Sequence, residues 1–464
     1  MVIFPHRHPK FGSGYTEKHI HTREHWDGVP QPPLKMALAY ADLGFQSRKR
    51  WLILDEVSSD QFDAAGGPEA SCEGIGVTII DQTPNPGPTE APSEHDLLRT
   101  VYCILGIPID AIKLAAVVHR MASAATNRAA FLISTPNLHF LVSSLSDPEF
   151  RESVLNSDLC PPDGAPIVWI ARLLGLPIKE RAAGSDLLDH LRAPGTGTHR
   201  LTVFLFGGAQ GVAAAAAQTL NAERDGLICT GAMDPGFGEV SELSQDHIID
   251  RINSSNADFL AVSLGAKKGQ LWLLRNHDRL TIPLRAHLGA AISFQAGTVK
   301  RAPEKMRALG FEWLWRIKEE PHLWRRYWND GSVLLRLLFT RVLPLAIETR
   351  WHKLRSKHRQ QDLLIKTTEA DQSLIISLWG NATERNIDKA VSCFRKALAG
   401  KHEVIINLSD TRLIDARFFG LLLMLRKQLK ARGARLAFTG VSRMMKRMFR
   451  FNELEFLLIP NMGP

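Results

Sequence analysis

From about residue 98 the chain alternates short, nearly unbroken apolar runs with amphipathic stretches. Ala130–Ile133, Leu201–Phe206 and Phe259–Leu264 are such runs, each ending in glycine or polar turn residues before a segment of helical period. Runs this short and this apolar predict strands buried on both faces, and their alternation with helices predicts a mostly parallel, Rossmann-like sheet covered on both sides. In such sheets ligands bind at the carboxyl ends of the strands. The pattern restarts near Leu363, with strands over Leu374–Leu378, Val404–Leu408 and Arg435–Phe438 and helices over Ile387–Leu398 and Asp415–Leu429. That order predicts a second, smaller α/β domain. The expected layout is a poorly structured extension (1–97), an α/β domain (98–330), a basic helical connection (331–362) and the small domain (363–464). The extension mixes His, Pro, Gly and charge and ends in the turn-rich run Asp81–Pro88, with local strands expected at Trp51–Leu54 and Ile75–Ile80.

Composition narrows this picture. The 464 residues exceed one ordinary domain, and 45% hydrophobic with 23% charged residues is normal for a globular protein. The five cysteines (Cys72, Cys103, Cys160, Cys229, Cys393) are scattered and odd in number, which argues against a disulfide framework or a zinc site and fits a reducing cytoplasm. His6, His8, His19, His21 and His25 have no regular ligand spacing and are read as a solvated tail. The opening Met1–His6 lacks the basic and apolar regions of a signal peptide. The most apolar stretch, Val333–Ile347, carries Arg336, Arg341 and Pro344 and falls short of the roughly 18 residues needed to span a bilayer. It is expected to lie on a membrane rather than cross it. A net charge of +9 suits an anionic lipid surface or a phosphorylated substrate. Nucleic acid is not expected as a partner, since no recognition helix, zinc finger or paired RNP-like aromatics accompany the charge.

Four places concentrate chemistry. Gly207-Gly208-Ala209-Gln210-Gly211 leaves a strand and enters an Ala-rich helix; it either cradles a nucleotide diphosphate or makes a plain tight turn. Asp163 stands on the rigid turn Cys160-Pro161-Pro162-Asp163-Gly164, as a general base toward a sugar hydroxyl or as a helix cap. Thr135 and Asn137 end the first strong strand, either facing the same cleft or serving the turn. The segment from Ala296 to Tyr327 interleaves Arg301, Arg316, Arg325 and Arg326 with Trp313, Trp315 and Trp324. Arginine forks suit phosphate, and aromatics among them suit a lipid–water interface; a solvated basic helix packed by its tryptophans is the other reading.

In combination these pieces resemble the WecG/TagA/CpsF glycosyltransferases (glycosyltransferase family 26) over residues 100 to 330. The resemblance runs in order through Ile104–Asp110, Thr135-x-Asn137, Asp163-Gly164, Gly184-Ser185-Asp186, Gly207-Gly208, Arg301-Ala302-Pro303, Glu312-Trp313-Leu314-x-Arg316 and Glu320-Pro321. It implies inverting transfer of an N-acetylmannosamine-type or related hexose from a UDP-sugar to a polyprenyl-diphosphate-linked sugar, without a metal or other cofactor. On that implication Asp163 is the base, with Thr135 and Asn137 beside it. Gly207, Gly208, Gln210, Gly184, Asp186 and Gly265 lie toward the donor, and Arg301, Arg316, Arg325 and Arg326 meet the acceptor diphosphate. The implied place of work is the inner face of the plasma membrane, in cell-envelope or exopolysaccharide synthesis. Lys267-Lys268-Gly269-Gln270 stands where the family usually shows Pro-Lys-Gln-Glu. That departure supports a second reading, a catalytically weak scaffold that binds nucleotide sugar or lipid and acts through the small C-terminal domain.

The last hundred residues resemble a STAS domain through Val404–Leu408 and Leu413-Ile414-Asp415-Ala416-Arg417-Phe418-Phe419-Gly420. Ala416 occupies the position of the phosphorylated serine in switchable members. A constitutive protein-docking role is therefore expected rather than a phosphorylation switch.

Overall fold

The computed structural model describes residues 95–192, 200–223, 226–355, 362–370, 373–400 and 403–459, together with the backbone of five strands before residue 81. These strands are β1 (Val2–His6), β2 (Tyr15–His21), β3 (Ala37–Ala41), β4 (Arg50–Leu54) and β5 (Val77–Ile80). They pair antiparallel in sequence order. The extension thus holds more strand than its composition suggests. The side chains of its histidines lie outside the described residues.

Residues 93–464 form a separate compact unit. It opens with α1 (His95–Leu98) and a hairpin of β6 (Val101–Ile104) and β7 (Ile107–Asp110), every strand residue of which is buried. Leu105 and Gly106 both take positive φ, 49° and 86°, the backbone twist that a two-residue hairpin turn needs.

The central sheet contains β8 (Phe131–Ile133), β9 (Thr202–Gly207), β10 (Ile228–Met233), β11 (Phe259–Ser263) and β12 (Leu284–His287). All are parallel, in the order β10-β9-β11-β12-β8. Alternation along the strands feeds two cores: Val203, Leu205, Phe259 and Ala261 enter one, and Phe204, Phe206, Leu260 and Val262 enter the other around Trp272. Both faces are therefore apolar, as the unbroken runs predict. Helix α2 (Leu114–Thr126) precedes β8. Between β8 and β9 run α3 (Leu138–Ser146), α4 (Pro148–Leu155), α5 (Ala165–Leu174) and α6 (Gly184–Arg192). The later crossovers are α7 (Val212–Ala222), α8 (Asp246–Ser254) and α9 (Ala266–Arg275). From β9 the chain steps outward to β10, then returns to β11 and on to β12. The topological switch point falls between β9 and β11, where the Gly207 turn lies.

After β12 come α10 (Ala291–Gln295), α11 (Glu304–Ala308), α12 (Glu312–Glu319), α13 (Trp324–Leu337), a π-helical turn (Leu338–Val342) and α14 (Leu343–Arg355). Pro344 falls where the π-helical turn runs without a break into α14, and a π-bulge is a local departure from the i→i−4 ladder that accommodates a residue without an N–H. The Val333–Ile347 stretch is two-sided rather than lying wholly on the surface. Leu337, Val342, Leu345 and Ala346 are buried, while Leu335, Phe339 and Ile347 are exposed.

The small domain has β13 (Leu364–Ala370), β14 (Ser373–Ala382), α15 (Ile387–Ala399), β15 (Glu403–Ile414), α16 (Ala416–Ala431), β16 (Leu436–Thr439) and α17 (Arg443–Phe451). The strand order is β13-β14-β15-β16, with the first pair antiparallel and the others parallel. Its core is not self-contained. Leu97, Val101, Cys103 and Leu155 of the larger domain pack in the same cluster as Phe394, Phe418 and Leu422. Helix α16 comes so close to β6 that a Cβ on Gly420 would lie 2.1 Å from the Val101 carbonyl oxygen. Only glycine fits there. Arg417 donates to that carbonyl at 3.2 Å, and Arg426 and Lys430 pair with Glu152 of α4.

Candidate active site

At the carboxyl end of β8 the chain continues through Ser134 and the buried Thr135 to Asn137, which begins α3. The Asn137 side-chain oxygen accepts from the Phe140 amide at 3.1 Å, capping the helix. Its amide nitrogen is left to donate to the Asp163 carboxylate. The Asp163 amide donates to the Pro136 carbonyl at 2.9 Å, so the two turns are stitched together. The sequence left open whether Asp163 caps the next helix. It does not: Gly164, at φ 79°, is the N-cap of α5, and no side chain caps that end.

The Asp163 carboxyl is pushed up to about 7, chiefly by burial and further by the negative charge of Glu312. Arg181 and the Asn137 hydrogen bond pull the other way without prevailing. Arg181 donates to Glu312 at 2.7 Å, which ties α12 to the loop before α6, and both charges act on Asp163. Arg181 gives no signal in the sequence, where it stands in an ordinary charged loop beside Lys179 and Glu180; its pairing with Glu312 exists only once the chain is folded.

The other nominated residues divide into two groups. Gly207 ends β9 beside Ser263 of β11, where a Cβ would lie 2.4 Å from the Ser263 oxygen, and the Gly208 amide donates to that oxygen at 2.8 Å. The paired glycines thus allow two strand ends to meet, and the Gly208 N–H is spent within the protein. The Gly211 amide at the start of α7 donates to Asp234 at 2.6 Å. Gln210 is exposed beside it. Gly265, at φ 81°, starts α9 with open space where a Cβ would be, on the same carboxyl edge of the sheet. Gly184 starts α6 against the Leu288 backbone, 3.1 Å from where its Cβ would be.

Asp186 in the first turn of α6 pairs with Arg301, whose donors also reach Ser185 and Asp189. Arg316 pairs with Glu320. Arg301 therefore ties the segment to α6, whereas the Arg316 pair lies within the segment, with the Arg316 guanidinium over the Phe294 ring. Arg325 and Arg326 lie at the start of α13, over the rings of Trp324 and Tyr327.

The Lys267–Gln270 departure has a structural account. A Cβ at Gly269 would fall 2.2 Å from the buried His287 ring, which burial holds neutral at about 4. Gln270 is buried and donates to Ser134 at 2.5 Å, and Lys267 pairs with Asp147 at 2.6 Å. The run is fitted to its surroundings.

The α/β domain thus carries a half-buried carboxyl with a raised pKa at the carboxyl end of β8, an edge strand, while the switch point lies on the same edge of the sheet at β9 and β11. The family is fixed by the model of the glycosyl transferase WecG/TagA/CpsF family, which matches residues 102–346, more than half of the chain. The chain belongs to this glycosyltransferase family. A second model, the Mlab/STAS domain, matches residues 365–459. Among curated proteins, the N-acetylglucosaminyldiphosphoundecaprenol N-acetyl-beta-D-mannosaminyltransferase of Bacillus spizizenii is 27% identical over 200 residues, 43% of this chain and 75% of that protein. Its namesake in Staphylococcus aureus is 23% identical over 232 residues, 50% of this chain and 88% of that one. The solved structure of the anti-sigma factor antagonist SpoIIAA aligns with 19% of this chain and 83% of its own at 19% identity, with a TM-score of 0.17, too low to carry an argument.

Proposed function

We propose that this chain transfers an N-acetylmannosamine-type or related hexose from a UDP-sugar to a polyprenyl-diphosphate-linked sugar, with inversion. The observation that carries the reading is Asp163: a carboxyl at about 7, not spent on capping and oriented by Asn137. A base poised near the working pH can accept a proton from a hydroxyl and is regenerated readily. In the proposed step the Asp163 carboxylate takes the proton of the acceptor hydroxyl. That oxygen bonds to the anomeric carbon from the face opposite the nucleotide, and the carbon–oxygen bond to UDP breaks with its electron pair leaving on the diphosphate. The donor lies along the carboxyl edge from Gly207 to Gly265, with Thr135 at the sugar. Arg325 and Arg326 are the cations for the acceptor diphosphate, while Arg301 ties the segment that presents them to α6 and Arg316 is paired within it.

The acceptor requires a membrane, and α13 offers a face for one. Trp324, Trp328, Leu335 and Phe339 recur at helical spacing and are 52%, 75%, 58% and 65% exposed. Exposed Arg325 and Arg336 flank this stripe. An apolar stripe edged by arginine suits a helix lying in an anionic interface, each cation contributing about 1 kcal/mol. Among the described residues no helix is long and apolar enough to cross a bilayer. The proposed place of work is the inner face of the plasma membrane.

The test is UDP release from a panel of UDP-hexoses with a polyprenyl-diphosphate-linked N-acetylglucosamine in detergent, wild type beside Asp163→Asn. Acceptor-dependent turnover that the variant loses is the expected result. Turnover retained in the variant removes Asp163 from the mechanism, and none from any donor with wild type overturns the transferase reading.

A further inference from the structure

The seam between the two domains is polar where it runs beneath the catalytic turns. Lys427 of α16 donates to Asp96 at 2.8 Å, to Asp158 at 2.9 Å and to the Ser157 carbonyl at 3.2 Å. The other Asp158 oxygen accepts from the Leu132 amide of β8 at 2.8 Å, and the Asp158 amide donates back to the Leu132 carbonyl at 2.8 Å. Ser134 then bonds to Leu159 at 3.0 Å. These two paired segments run on directly into Thr135–Asn137 and into Asp163. A second path reaches the same place. Gln428 of α16 donates to Asp96, which pairs with Arg99. The Arg99 side chain is 0% exposed and pairs with Asp110, and Asp110 accepts the Cys160 amide at 2.6 Å. Burial alone would raise the Asp96 carboxyl, but Lys427 and Arg99 hold it below the usual range, so the seam is charged.

We propose that the STAS-like domain is a built-in positioning partner of the transferase site, with Lys427 as the positioning residue that holds the 157–160 and 132–134 segments in register beneath Asp163 and Asn137. From Cys160 the chain reaches Asp163 through Pro161 and Pro162. Each proline fixes φ near −65°, so a shift at Asp158 or Cys160 is handed on to Asp163 rather than absorbed. Misplacing a catalytic group by about 1 Å costs on the order of 100-fold in rate. The docking partner expected of a STAS-like domain is, on this account, the transferase domain of the same chain.

This inference rests on the reading of Asp163 as base, so its test carries a readout independent of that chemistry. In the full chain, Lys427→Gln, Lys427→Arg, Asp158→Asn and Lys430→Met are compared by steady-state kinetics and by hydrogen exchange of peptides spanning 157–163. Lys430 lies on the same helix and also crosses the seam, but it pairs with Glu152, which Arg426 also holds, and it touches neither Asp158 nor Asp96. Lys427→Gln and Asp158→Asn are expected to lower kcat roughly 10- to 100-fold with KM for the donor within about twofold, and to speed exchange at 157–163. Lys427→Arg restores most of kcat, and Lys430→Met matches wild type. Unchanged exchange, faster exchange without loss of kcat, or an equal loss in Lys430→Met would each overturn the positioning role. Retained turnover in Asp163→Asn would instead remove the base while leaving the exchange result standing.

Discussion

Two aspartates in this chain occupy the same kind of place, the turn from a strand-like segment into a helix, and they do different work. Asp415 lies between β15 and α16, and its carboxylate accepts the Phe418 and Glu384 amides, both at 2.8 Å. Asp163 lies before α5, but Gly164 takes the capping position and the carboxylate is left to Asn137 and its electrostatic surroundings. Burial raises both carboxyls, Asp163 to about 7. At Asp415 two backbone donors fix the group in a structural role. At Asp163 the Asn137 side chain is the hydrogen-bond partner among the described residues, and the negative charge of Glu312 adds to the rise. One inserted glycine separates a cap from a candidate base.

The comparison breaks most sharply in paired variants. Asp163→Asn should lower turnover by roughly 1,000-fold, the range of a lost general base, without lowering the melting temperature at pH 8. The sign follows from linkage: a carboxyl raised in the folded state stabilises the fold below its unfolded value near 4, and that contribution is lost as pH rises through about 7. Removing the charge therefore relieves the fold at pH 8. Asp415→Ala should do the reverse, costing about 1 kcal/mol of stability in thermal unfolding with little change in kcat at permissive temperature. The seam is tested by Gly420→Ala, which forces α16 off the Val101 carbonyl and should lower the melting temperature by several degrees. Weaker still, Trp328→Ser should reduce sedimentation with anionic vesicles while leaving UDP binding intact.

The sheet was legible because its strands are buried on both faces and so read as unbroken apolar runs. β13 escaped notice because six of its seven residues are exposed, which erases the alternation a strand normally shows. Asp163, Thr135 and Asn137 were nominated from residue type and from family order, and the structure brings the turns of Asn137 and Asp163 together, with Thr135 buried at the end of β8. Two features were not. Arg181 looks like any surface cation until Glu312 folds over it from 131 positions away. The shared core of the two domains was equally hidden, since Leu97, Val101 and Gly420 show nothing of their contact in one dimension. Nor could sequence show that Arg301 is engaged by Asp186 and Asp189, which moves the proposed diphosphate contact to Arg325 and Arg326.

The central claim, that Asp163 is a base tuned by its charged neighbours, chief among them Glu312 and Arg181, is tested most directly by the pH dependence of kcat/KM in wild type, Arg181→Gln and Glu312→Gln. Wild type should rise with pH and level off above about 7. Losing Arg181 removes the stabilising cation and should move the rising limb to higher pH, while losing Glu312 removes the repelling anion and should move it lower. Opposite displacements of one limb are the predicted result. A profile flat from pH 5.5 to 8.5, or a limb unmoved by either substitution, would contradict the account.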